Sequence, residues 1–186
     1  MRIRTASLAS LTLVASLAHA AGFKLESPTI KPGSKLSEAQ VYNGFGCTGK
    51  NVSPALKWSG APKDAKSFAL TVYDPDAPTG SGWWHWVVYN IPADVKELPE
   101  GAGTIEGKGL PAGSKQAKTD FGAPGFGGAC PPPGDKPHRY IFTVYALKAD
   151  KLDLPPDATA AVAGFMTNAN KIASASFTAR YGRPKQ

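Results

Sequence analysis

Arg139-Tyr-Ile-Phe-Thr-Val-Tyr-Ala-Leu147 is the stretch on which the fold turns. It is β-branched and aromatic throughout, and both of its alternating faces carry large apolar groups. That pattern predicts a central strand covered on both sides. Phe68-Ala-Leu-Thr-Val-Tyr73 and His85-Trp-Val-Val-Tyr-Asn-Ile91 have the same character. Weaker strand signals lie at Gly22 to Glu26, near Gln40 to Phe45, and around Phe177 to Tyr181. Pro and Gly punctuate the intervals, which suits antiparallel strands joined by irregular loops.

One helix is expected late in the chain. Pro155 and Pro156 precede Asp157, a residue suited to a helix cap or first turn. Val162, Phe165, Met166, Ala169, Ile172 and Ala173 then recur at spacings of three and four. This stripe predicts an apolar face packed against a sheet. Pro99 to Pro137, by contrast, is rich in Gly and Pro and offers no convincing strand or helix. So long a stretch in a compact domain is usually either mobile or part of a binding site. The aromatic residues and cysteine between Phe121 and Cys130 favour an ordered, pocket-building loop.

The N-terminus reads as a leader. Arg2 and Arg4 are followed by an apolar run from Ala6 to Leu17, and Ala18-His19-Ala20 has the small-x-small form of a cleavage site. We therefore expect residues 1–20 to be a signal peptide, residues 21–186 a single domain, and the protein to reach the periplasm or be secreted. The run is too short for a membrane anchor, and no later segment would span a bilayer. Loss of Arg2 and Arg4 lowers the net charge from +7 to +5. The remaining basic residues are scattered lysines without an arginine cluster interleaved with aromatics, so no nucleic-acid partner is expected. Cys47 and Cys130 are the chain's two cysteines. In an oxidising compartment they are most simply one disulfide; a free thiol is the alternative.

Beyond the leader the chain has two histidines, His85 and His138, each at the entry of a predicted strand. Asp74 stands just past the end of another, in Asp74-Pro75-Asp76-Ala77-Pro78. Antiparallel neighbours bring one strand's end beside the next strand's start, so the three residues meet at one rim of a sheet. Imidazole N–H groups donate to phosphate or carboxylate oxygens, and Asp74 would orient a ring. A two-His, one-carboxylate metal site and general acid–base chemistry are the alternatives. A nucleophile elbow and a phosphate-binding GxxxxGK[ST] loop are both absent. Strand alternation puts Trp84 and Trp86 opposite His85 and leaves Trp83 free to line a pocket wall.

Several segments together resemble the phosphatidylethanolamine-binding protein family, in its bacterial Raf-kinase-inhibitor-like branch. They are Gly46-Cys-Thr-Gly-Lys-Asn-Val-Ser-Pro54 with Leu56 and Trp58, Tyr73-Asp-Pro-Asp-Ala-Pro78, and Gly82-Trp-Trp-His-Trp-Val-Val-Tyr-Asn-Ile-Pro92. Gly128-Ala-Cys-Pro-Pro-Pro-Gly-Asp-Lys-Pro-His-Arg-Tyr140 and Tyr145-Ala-Leu147 complete the match.

The resemblance implies a mainly β fold: a central antiparallel sheet packed against a smaller one, with a peripheral C-terminal helix. It implies an anion pocket at Asp74, His85 and His138, bordered by Asp76, Trp83, Gly128, Cys130, Pro131 and Tyr140. Backbone N–H groups from Gly128 to Cys130 would complete the oxyanion cage. Tyr181 matches a tyrosine that shields the pocket in some members. Family pockets take phosphate, small carboxylates or a phosphoethanolamine headgroup, and no cofactor or metal is expected. Cys130 replaces a glycine of animal members at the pocket rim. Export separates the chain from cytoplasmic kinases, so a kinase-inhibitor role does not carry over. The expectation is a binding or modulatory protein. An acid–base hydrolase, or a secreted protease inhibitor engaging a protein partner through surface loops, are the alternatives.

Overall fold

A computed structural model describes residues 22–185, so the leader read at 1–20 lies outside the described residues. In chain order the strands begin with β1 (Lys24–Glu26), β2 (Asn43–Gly44), β3 (Cys47–Thr48), β4 (Leu56–Ser59) and β5 (Ser67–Asp74). They continue with β6 (Trp83–Pro92), β7 (Glu97–Leu98), β8 (Lys115–Gln116) and β9 (His138–Leu147). Helix α1 (Ala160–Asn170) then runs directly into β10 (Lys171–Tyr181). The central five-stranded sheet has the order β10-β9-β5-β6-β8, and a smaller three-stranded sheet has the order β1-β4-β7. The pairings of the two sheets are antiparallel, as the turn-rich sequence implied.

The quoted stretch is β9, an interior strand between β10 and β5. One of its faces, from His138 through Ala146, is buried, while the other is only half-covered. The strands buried on both faces are its neighbour β5, at the middle of the sheet, and β6 beyond it. On one side of the sheet Val72, Trp86, Val88, Phe142 and Phe177 pack with Leu25, Leu56, Trp58 and Leu98 of the smaller sheet. On the other, Ala69, Val87, Tyr89 and Leu147 pack with Leu152, Ala160 and Ala163. These two layers of apolar side chains supply the main driving force for folding.

The helix forms, but not with the expected face. Its cap is Thr159, whose Oγ1 accepts from Val162 N at 3.4 Å, and not Asp157. The buried residues are Ala160, Ala163, Gly164 and Thr167, while Val162 and Phe165 remain 43% and 73% exposed. Small residues at helical spacing let the backbone lie close to the sheet. A Cβ on Gly164 would already sit 3.6 Å from the Trp84 ring. Met166, a member of the expected stripe, packs partly buried against the same cluster. Ile172 and Ala173, read as the end of the stripe, belong to β10.

Strand β6 carries two β-bulges. Near its end Phe68 pairs with Ile91 but Leu70 with Val88, leaving an extra residue on β6. Asn90 there has φ 58° and braces residue 152: Leu152 N donates to its Oδ1 at 2.7 Å, and its Nδ2 donates to the Leu152 carbonyl at 3.2 Å. The other bulge builds the site.

Candidate functional site

At one end of the central sheet, Tyr73 pairs with Trp84 and Val72 with Trp86, so His85 has no partner on β5. In such a bulge two successive side chains leave the same face. His85 therefore joins Trp86 on the smaller-sheet side, where its ring meets Tyr140 at 5.1 Å, while Trp84 faces the helix. Simple alternation had set Trp84 and Trp86 together against His85. The bulge overturns that for Trp86.

His85 thereby comes to one cavity with Asp74, the last residue of β5, and His138, the first of β9. Tyr140, two residues along β9, lies on the same face. All four are buried, at 3% exposure or less. The cavity measures about 160 Å³. Trp83, Cys130 and Pro131 also line it, as expected. Phe121 and Pro132, from the loop read as pocket-building, line it as well, and so do Phe45, Ala77, Pro78 and Thr79, which were not singled out.

Each imidazole is held through Nδ1. His85 Nδ1 lies 2.7 Å from the Gly127 carbonyl, which only accepts, so the proton sits on Nδ1. The ring's remaining nitrogen, Nε2, then carries a lone pair when the ring is neutral. Burial pushes the His85 pKa below 6.5; the Gly127 carbonyl and the Asp74 charge oppose the shift without reversing it. His138 Nδ1 donates to Asp74 Oδ2 at 2.7 Å, and its Nε2 stands 3.4 Å from Asp135 Oδ2. Asp76 N donates to Asp74 Oδ1 at 2.8 Å. Both carboxylate oxygens of Asp74 thus have donors, which is what permits a buried carboxylate. The Tyr140 hydroxyl is buried without a hydrogen-bond partner, and burial and the Asp74 charge push its pKa up.

Other expected residues take different places. Asp76 does not line the cavity. Arg139 grips it from outside, with Nη2 to Oδ1 at 2.7 Å and Nε to Oδ2 at 2.9 Å, and that guanidinium holds its pKa down to about 2. Gly128 is not a lining residue either: its N–H donates to Asn51 Oδ1 at 2.7 Å, and Ala129 N–H donates to the Gln40 carbonyl at 3.0 Å. Two of the three N–H groups expected to cage an oxyanion are therefore engaged within the fold. A Cβ on Gly128 would collide with the Gln40 carbonyl, so this glycine serves close packing. Asn51, which also donates to the Phe126 carbonyl at 3.1 Å, supports the loop that holds His85. It stands in a matched segment, but nothing in its residue type marks that role.

Tyr181 sits in a neighbouring groove beside Glu38 and Arg183, with its hydroxyl 3.3 Å from Glu38 Oε1, and does not shield the cavity. Cys47 and Cys130 are joined as a disulfide, which removes the free-thiol alternative. The bond ties β3 to the cavity rim. Among the described residues no group of three or more His, Cys, Asp and Glu is placed to hold a metal ion.

The profile of the phosphatidylethanolamine-binding protein family matches residues 26–182. The chain belongs to that family. Among its members, the Escherichia coli protein YbcL is 55% identical over 171 residues, covering 92% of this chain and 93% of YbcL. A second E. coli family member, YbhB, is 49% identical over 158 residues, 85% of this chain and 99% of its own length. The crystal structure of YbcL, described as a new member of the mammalian family, superposes with a TM-score of 0.85 at 56% identity, covering 87% of this chain and 99% of YbcL's. The family homologue CT736 of Chlamydia trachomatis gives 0.71 at 30% identity, over 87% of this chain and 98% of its own. The mainly β architecture with two antiparallel sheets is the family fold.

Proposed function

We propose that the cavity binds a small oxyanion, such as phosphate, a carboxylate or a phosphorylated headgroup, in an exported protein that holds its ligand without turning it over. The reading rests on one observation: His85, His138 and Tyr140 place polar side chains at the floor of an otherwise apolar cavity. Asp74, which lines the cavity beside them, already has a donor on each oxygen, so its charge is partly offset where an anion would enter. The Tyr140 hydroxyl, a donor without an acceptor, gains one when an anion oxygen reaches the floor.

The geometry alters the expected role of His85. Neutral, it offers an Nε2 lone pair and accepts; it donates only after taking up a proton. An anion therefore binds either with a proton of its own, as hydrogen phosphate does, or with proton uptake by the ring. The same lone pair would suit a general base, but Thr79, a lining hydroxyl that could act as a nucleophile, gives its proton to the Gly82 carbonyl. The leader and the disulfide support an extracytoplasmic setting.

Inorganic phosphate titrated into the protein, followed through the imidazole resonances of His85 and His138, tests the reading. Saturable shifts in both rings that vanish in His138→Ala are the expected result. Unperturbed rings, or the same affinity in the variant, would overturn it.

A further inference from the structure

The floor of the cavity is polar, but its mouth is aromatic. Phe45 lines the mouth and is 69% exposed, the second most exposed of the large hydrophobic residues among those described. It occupies a two-residue turn between β2 and β3, with φ 51° at Phe45 and 77° at Gly46. Positive φ at both central positions is the habit of Asn-Gly or Gly-Gly turns, and a bulky side chain there is disfavoured. Exposure and backbone strain both oppose a phenylalanine at this position. Such an outlier points to function where the surrounding structure holds it in place. Here the Cys47–Cys130 disulfide anchors the residue two positions later, and Arg183 Nη2 donates to the Gly46 carbonyl at 3.0 Å.

Phe45 also extends a wall. Its ring lies nearly parallel to Phe121, at 6.0 Å and 13°, and Phe121 meets Trp83 edge-on at 5.4 Å. The Phe45–Phe121 spacing is too small to admit a third ring between them, so the apolar surface is a wall and not a slot. Inorganic phosphate would reach the polar floor and leave this wall wet.

We infer that the cavity takes an anion carried on a flat aromatic body, with the anion on the floor and the ring against Phe45 and Phe121. Phe45 is then the residue that determines specificity. The inference rests on the anion-binding reading and adds the chemical class of the ligand. Aromatic contact supplies selectivity without a further hydrogen bond, because ring faces and edges attract when offset or crossed.

Phenyl phosphate, phosphoethanolamine and inorganic phosphate, titrated calorimetrically into wild type and Phe45→Ala, separate the possibilities. Wild type is expected to bind phenyl phosphate on the order of tenfold more tightly than the other two, an increment of the size one aromatic pair provides. In Phe45→Ala that ratio should fall to about two, while Phe45→Trp should keep it. Equal affinities in wild type, or an undiminished ratio in Phe45→Ala, would overturn the inference and leave the anion reading intact. Binding of none of the three would overturn both.

Discussion

The floor and the mouth of the cavity are built in opposite ways. The floor stands on the long paired strands β5, β6 and β9 and is buried; His138 is held by Asp74, and His85 by the Gly127 carbonyl of the adjoining loop. The mouth stands on the 43–48 hairpin and the loop from Phe121 to Pro132, where aromatic contacts and one disulfide join the two segments and Asn51 and Gln40 bond the loop backbone. A strand scaffold fixes the orientation of a catalytic or binding group closely; a loop scaffold tolerates change. On the anion-binding proposal, the groups that would hold the anion reside in the rigid part, and those that would choose what it is attached to reside in the tolerant part.

The largest effect is expected from Asp74→Ala. It leaves His138 Nδ1 and Asp76 N without an acceptor in a buried place, and should destabilise the fold by about 3 kcal/mol in denaturant titration. Phosphate-induced imidazole shifts should disappear as well. A loss well under about 1 kcal/mol would mean that the floor is not a mutually supporting network.

Breaking the disulfide with Cys47→Ser and Cys130→Ser together should lower stability by about 2–4 kcal/mol, since the bond closes a long stretch of chain. The comparison is sharpest in the binding data. Inorganic phosphate should still bind the double variant, and the preference for phenyl phosphate should shrink. Equal loss of both would show that floor and mouth are one unit.

Asp76→Asn should matter less, because solvent screens the partly exposed pair with Arg139. The folded-state pKa of about 2 is below the ordinary carboxylate value of 3.8. The stability due to the charged Asp76 is therefore present above 3.8 and lost as pH falls from there towards 2. Wild type and variant should differ near neutral pH and converge in acid. The smallest effect on folding should come from Phe45→Ala, within about 0.5 kcal/mol of wild type, despite its effect on ligand choice.

Much of the floor was legible in the sequence. Strand-entry histidines beside a strand-exit aspartate meet whenever three antiparallel strands are neighbours, and pairing brought Asp74, His85 and His138 together as that rule requires. The side to which His85 turns was not legible, because one unpaired residue in β6 reverses the alternation and nothing in Trp-Trp-His-Trp announces it. The helix was misread for a different reason. Its stripe of Val162 and Phe165 satisfied the apolar period, but the face turned to the sheet carries Ala160, Ala163, Gly164 and Thr167, with Met166 of the expected stripe partly packed beside them. The 99–137 region contributes only the two-residue strand β8 and otherwise stays irregular, as its Gly and Pro content implied. The contribution of Phe45 was hidden because a hairpin turn of Gly-Phe-Gly reads locally as punctuation, and its partner Phe121 lies far away in sequence.

Sulfate affinity as a function of pH, with phosphate as the reference, tests the role assigned to the floor most directly. Sulfate brings no proton at neutral pH, whereas hydrogen phosphate does. If neutral His85 faces the cavity as an acceptor, sulfate should bind weakly near about pH 8 and gain up to about tenfold per unit as pH falls, levelling off only below the ring's pKa, which burial holds under 6.5. Phosphate should bind appreciably near about pH 8 and change less. Sulfate affinity that equals that of phosphate and stays flat from about pH 8 to about pH 5 would contradict it.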